Sequence, residues 1–205
     1  MDQPRKGEKK RNECDDKECE RGQIGGPVGN MHPVEQVSWN ECWTVCNRLG
    51  LMLPTEAQWE QAARGGTTSD WWTGATKESL AGAANLLDSF ARTHGGEDWH
   101  DRIFDPWLDD GQTVHAPVGS YAANPFGLYD VVGNVWEWCQ DSYDLDMSFY
   151  AESPKRDPIN DPAGSRVRIR RGGSYYNSSM DSRSATRGAD PPESVVQSFD
   201  APTAM

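Results

Sequence analysis

Regular periodicity in this chain stops at Gly66 and does not return for more than 40 residues. From residue 67 to residue 112, Gly, Asp, Trp and His follow one another without the 3.6 period of a helix or the alternation of a strand. Irregular stretches of that length are uncommon inside compact domains and are usually functional or wrapped around an ion. The chain is therefore restricted to folds in which ordered loop supplies much of the core.

The segment before it is regular. Ser38-Trp-Asn-Glu41 is a capping box, in which the Ser hydroxyl takes a free amide and Glu41 reaches back to the cap, so a helix should run to Gly50. Trp39, Trp43, Cys46 and Leu49 fall on one stripe of it. Thr55 and Gln58 repeat the device and open a second helix that stops at Gly65-Gly66, with Trp59, Ala62 and Ala63 facing the same core. Beyond residue 112, strands are expected at 114–119, 131–139 and 166–171, separated by turns at 124–127 and 157–164. Two amphipathic helices, short strands and much ordered loop make an α+β plan.

Charge divides the chain at a hinge. Residues 1–21 hold seven basic and seven acidic residues, so 13 basic and 25 acidic of the chain's 20 and 32 fall in the remainder, which carries the whole net charge of −12. A nucleic-acid partner is not expected, because phosphate is neutralised by a basic face. Residues 1–29, the charged arm with its Gly-rich hinge, read as flexible, and residues 30–205 as the folded domain. No apolar run approaches the roughly 20 residues of a membrane span. Met1 is followed by no apolar stretch, so the sequence as it stands has no secretory signal; the cytoplasm is the default compartment, and export would require a truncated N-terminus. Of the five cysteines, Cys14 and Cys19 could close a small disulfide loop or remain free thiols. Cys42 and Cys46 lie one helical turn apart, and Cys139 reads as a small buried apolar residue.

Four motifs then follow in order. They are LPTEAQWEQAARGG (53–66), VGSYAANPFGLYD (118–130), GNVWEW (133–138), and RGGS (171–174) with RSA (183–185). This series resembles the sulfatase-modifying-factor family, the formylglycine-generating-enzyme-like domains, over roughly residues 33–192. The resemblance implies a compact variant of the C-type lectin fold, poor in regular secondary structure. Members usually begin with a further strand-bearing segment before Pro33-Val34, whose place here is taken by the charged arm.

The resemblance also implies two structural calcium sites. Asn85 and Leu86 with Asp110 and Gln112 match one, and Asp130, Gly133, Val135 and Glu137 match the other, with Leu86, Gln112, Gly133 and Val135 offering main-chain oxygen. Carboxylates and carbonyls on a bending loop are hard ligands suited to Ca²⁺. The plain alternative is that Asp130 and Glu137 cap turns and pair with Arg. Catalysis departs from the family. The copper-dependent oxidases of the family use two cysteines shortly after the Gly-Gly-Ser turn, where this sequence has Asn177 and Ser182. Copper is therefore not expected, no catalytic residue is assigned, and formylglycine generation by that route is not expected. The four histidines (His32, His94, His100, His115) show no ligand spacing and default to surface or turn roles.

The vacated positions are polar and aromatic. Ser174, Tyr175, Tyr176, Asn177, Ser178 and Ser182, with Trp136 and Arg183 from the shared motifs, form the candidate ligand-binding set, because Tyr, Ser and Asn suit a binding surface. The leading expectation is a calcium-stabilised monomeric module that presents residues 174–182 to a protein, peptide or glycan. Competing expectations are an oxidoreductase that does not use the cysteine pair, a variable ligand-binding protein of a diversity-generating retroelement, and an accessory module of a larger chain.

Overall fold

The structure, a computed structural model, describes residues 29–95, 102–143, 148–161 and 166–195. Cys14, Cys19, His100 and nearly all of the charged arm lie outside the described residues. Helix α1 (Trp39–Arg48) opens on Ser38 and helix α2 (Glu56–Arg64) on Thr55, and both capping boxes form as the sequence requires. Gly65, left-handed at φ 56°, ends α2. The stripe on α1 is only partly used: Trp39 is buried, whereas Leu49 is exposed.

The 67–112 stretch is not wholly irregular. It contains a 3₁₀ turn (Lys77–Leu80) and a short helix, α3 (Ser89–His94), capped by Asp88, whose carboxylate accepts from Ala91 N–H at 2.9 Å. Helix α4 (Ser148–Glu152) follows strand β1 (Glu137–Ser142); β2 (Arg168–Arg171) and β3 (Gly188–Asp190) complete an antiparallel sheet in the order β1-β2-β3. Glu137 pairs with Arg171 and Trp138 with Arg170, and the register shifts before Ser142 meets Arg168.

No strand forms at 114–119. Its amides are taken elsewhere: Ala116 N–H by the Asn134 side chain at 2.9 Å, Val118 N–H by Met31 O at 2.7 Å and Gly119 N–H by Asp130 Oδ2 at 2.7 Å. The strand expected over 131–139 begins only at Glu137, because Gly133 N–H and Asn134 N–H bond to Gly172 O and Asn85 O. β3 was not anticipated; it is three residues long and Gly188 is needed there, since a Cβ would lie 2.8 Å from Arg170 Cγ.

The core is a set of adjoining clusters. Helix α2 seats Trp59 and Ala63 on Cys139 and Ile169 of the sheet, so Cys139 is the buried apolar residue expected. Trp39 packs on Trp138, and its indole N–H reaches Cys139 O at 2.8 Å. The long loop packs Trp71, Leu80, Ala84, Leu86 and Leu108 against Val132, which precedes β1. Among the described residues no helix is long and apolar enough to cross a membrane.

Candidate functional site

The chain leaves β2 through Gly172 and Gly173, both left-handed, and folds back on itself so tightly that a Cβ at Gly173 would sit 2.1 Å from Ser182 Oγ. Ser174 Oγ donates to Asn177 Oδ1 at 2.8 Å, and Asn177 O accepts Leu87 N–H at 2.9 Å. Ser182 Oγ donates to Ser178 O at 3.2 Å, and Ser178 Oγ to Asp181 at 3.0 Å. Asp105, buried below, accepts the Ser179 amide and, at 2.9 Å, the Ser179 hydroxyl, together with Trp107 Nε1–H at 2.8 Å.

This arrangement corrects the picture of 174–182 as a polar display surface. Ser174, Tyr175, Asn177, Ser178 and Ser182 are buried, and Asn177 and Ser182, 3% and 1% exposed, form hydrogen bonds within the turn. Tyr176, Met180, Asp181 and Arg183 are the residues of 174–183 that reach solvent, with the Arg102 guanidinium stacked 4.0 Å over the Tyr176 ring. Trp136 is buried as well and lines a small open cleft with Val34, Glu35, Gln36, Val37, Trp138 and Arg170. Among the described residues its indole N–H has no hydrogen-bond partner, and the Arg170 guanidinium lies 4.5 Å over its ring.

Parts of the expected ion-binding sets lie next to one another: Leu86 and Gln112 beside Asp110, and Asp130 close enough to Glu137 to act on its charge. At the first, Asp110 accepts Leu86 N–H at 2.9 Å and Gln112 N–H at 2.8 Å, while the buried Asn85 Oδ1 lacks a partner. Burial, with the neighbouring Asp88 charge, pushes the Asp110 carboxyl up to about 7. At the second, Asp130 is left-handed at φ 58° and its Oδ1 is buried without a hydrogen bond, while Glu137 accepts Trp59 Nε1–H at 2.8 Å. Burial above all, and then Asp130, raise the Glu137 carboxyl. The buried arginines pair instead with Glu56, Glu60 and Asp190. Buried oxygens that lack partners are what a hard cation would occupy, and the donor sets fit Ca²⁺. Among the described residues no three His, Cys, Asp or Glu side chains converge, so amide and main-chain oxygens would have to supply most of the ligands at either site.

Sequence reasoning missed two groupings. Glu56 is a buried hub, accepting from Arg187 at 2.6 Å and from Tyr150, with Arg171 Nε at 3.5 Å. His115, expected at the surface or in a turn, is buried 2.9 Å from His32. Neither leaves a local signal, because the partners are far apart in sequence.

The sulfatase-modifying factor enzyme 1-like domain matches residues 4–199. The formylglycine-generating enzyme of Streptomyces coelicolor is 41% identical over 150 residues, covering 70% of this chain and 42% of that protein. The chain spans less than half the length of the first curated relatives it matches. PvdO from Pseudomonas aeruginosa superposes with a TM-score of 0.66 at 22% identity, over 82% of this chain and 59% of that one. Treponema denticola variable protein 1 does so at 0.58 and 22%, over 83% and 71%. These likenesses establish the C-type-lectin-like α+β fold.

Proposed function

Because the chain belongs to the sulfatase-modifying factor enzyme 1-like family, we propose that it serves as a copper-free, calcium-stabilised recognition domain of that family and not as a formylglycine generator. The single observation that carries this reading is the chemistry of positions 177 and 182. Copper(I) is held by soft thiolates, whereas Asn177 and Ser182 present a neutral amide and a hydroxyl that are buried and hydrogen-bonded within the turn. Cys139 and Cys42 are poor replacements for the pair: burial raises both thiols, which disfavours the thiolate that would bind metal or act on substrate.

Recognition of a protein, peptide or glycan would then use the parts of the turn that reach solvent. Tyr176, Met180 and Arg183 with Arg102 offer aromatic, thioether and cationic contacts, the residue types that anchor interfaces. Variation of the kind a retroelement introduces would be confined to those positions, because changes at the buried ones would disrupt packing.

The test is metal analysis of the purified protein after exposure to Cu(I), alongside incubation with a sulfatase-type Cys-containing peptide, copper and oxygen. Retention of no stoichiometric copper and an unchanged peptide are expected. Conversion of the peptide cysteine would move the assignment to the enzyme class.

A further inference from the structure

Two of the histidines meet although 83 positions separate them. His32 Nδ1 and His115 Nδ1 lie 2.9 Å apart, with the rings edge to face and their centroids 4.9 Å apart. One proton fits between them: one ring donates, and the other must present a bare nitrogen. On its far side His115 Nε2 is 3.8 Å from Glu35, and its ring lies edge-on to Tyr175 with centroids 6.0 Å apart.

His32 belongs to a segment that crosses the fold before α1. Its carbonyls tie it to the fold: Met31 O accepts Val118 N–H at 2.7 Å, and Val37 O accepts Trp138 Nε1–H at 3.1 Å. Val34 and Gln36 between them are exposed, and Gln36 is left-handed at φ 57°. The inner side of this segment forms one wall of the Trp136 cleft.

We propose that residues 31–37 are an acid-released strap, fastened by the proton that His32 and His115 share and lifted from the Trp136 cleft when the pair takes a second proton. With the pair neutral, or carrying one added proton, the hydrogen bond survives. A second added proton sets two N–H groups and two positive charges against each other at 2.9 Å. The groups that face the pair are Glu35, from the strap itself, and Tyr175, from the turn after β2. Glu35 favours the first proton and cannot neutralise two. The Tyr175 phenol, raised by burial and then by Glu35, stays neutral throughout.

The direction of the His115 shift agrees with this geometry. Burial, opposed by Glu35 and reinforced by His32, holds its imidazole below the ordinary histidine value. A released His115 therefore binds its proton at higher pH than a fastened one. The fastening is complete above roughly 6.5, the ordinary value, survives the first added proton, and is lost only as the second binds at lower pH.

The experiment is hydrogen exchange of the full chain between pH 7.5 and pH 5, corrected for intrinsic rates. The N–H groups that hold the strap, the Val118 amide on Met31 O and the Trp138 indole on Val37 O, should exchange at least about tenfold faster at the acid end, while Cys139 and Ile169 in the sheet keep their protection. His115→Phe, which keeps a ring against Tyr175 but cannot share a proton, should exchange fast at these two groups at both pH values. His32→Asn, on the half-buried side, should do the same if that variant fails to fold. Exchange at these groups that does not depend on pH, opening of strap and sheet together, or an unchanged acid response in the folded variant would overturn the proposal. No readout uses copper or a peptide, so failure here is distinct from failure of the functional reading.

Discussion

A Cβ at Gly133 would stand 1.9 Å from the main-chain oxygen of Asn85. The two residues form an isolated parallel bridge, and Asn134 N–H donates to that same oxygen at 2.9 Å. One belongs to each candidate calcium site, so the sites are joined through backbone. Gly133→Ala combines this clash with a left-handed φ of 76°. We expect it to destabilise the domain by about 3 kcal/mol or more, measured by chemical denaturation.

Calcium bound only by the folded state should raise its stability, by about 2.7 kcal/mol at a hundredfold excess over Kd. Thermal melting with calcium and with chelator measures this. Asp130→Asn and Glu137→Gln should shrink the difference between the two melts. Identical melts of the parent protein would remove the ion sites.

Asp110 gives a pH signature in chelator. Its folded carboxyl, raised to about 7 from an ordinary value of 3.8, binds a proton more readily than the unfolded chain does. That contribution is fully present below the ordinary value and is lost as pH rises through about 7. The melting temperature of the parent minus that of Asp110→Asn should therefore fall between pH 5 and pH 8. Calcium, which binds the ionised form, should reverse the slope.

Glu56 tests the buried charge network. Arg171 is fully buried, and Glu56 links it to Arg187 and Tyr150. Glu56→Ala leaves buried positive charge short of a partner and should cost about 3–5 kcal/mol by denaturant titration.

Much of this was legible locally. Ser38 with Glu41 and Thr55 with Gln58 are signals contained within four residues, and both helices start where those signals say. The ion-site positions came from the family resemblance, and at the first of them the amides of Leu86 and Gln112 donate to Asp110. Non-local pairing was not legible. Residues 114–119 look like a strand, yet Asn134, Met31 and Asp130 take their amides. The polar 174–182 run looks solvated, yet Asp105 and the left-handed Gly173 draw it inward, and nothing in the run itself encodes those partners.

The most direct test of the central claim is copper-dependent conversion of a sulfatase-type Cys-containing peptide by the parent chain and by the Asn177→Cys, Ser182→Cys double variant, with bound copper measured in both. The account predicts no stoichiometric copper and no formylglycine from the parent, and a gain of copper in the double variant, because two soft thiolates replace two hard neutral groups at the same positions. Formylglycine produced by the parent chain in copper and oxygen would contradict it.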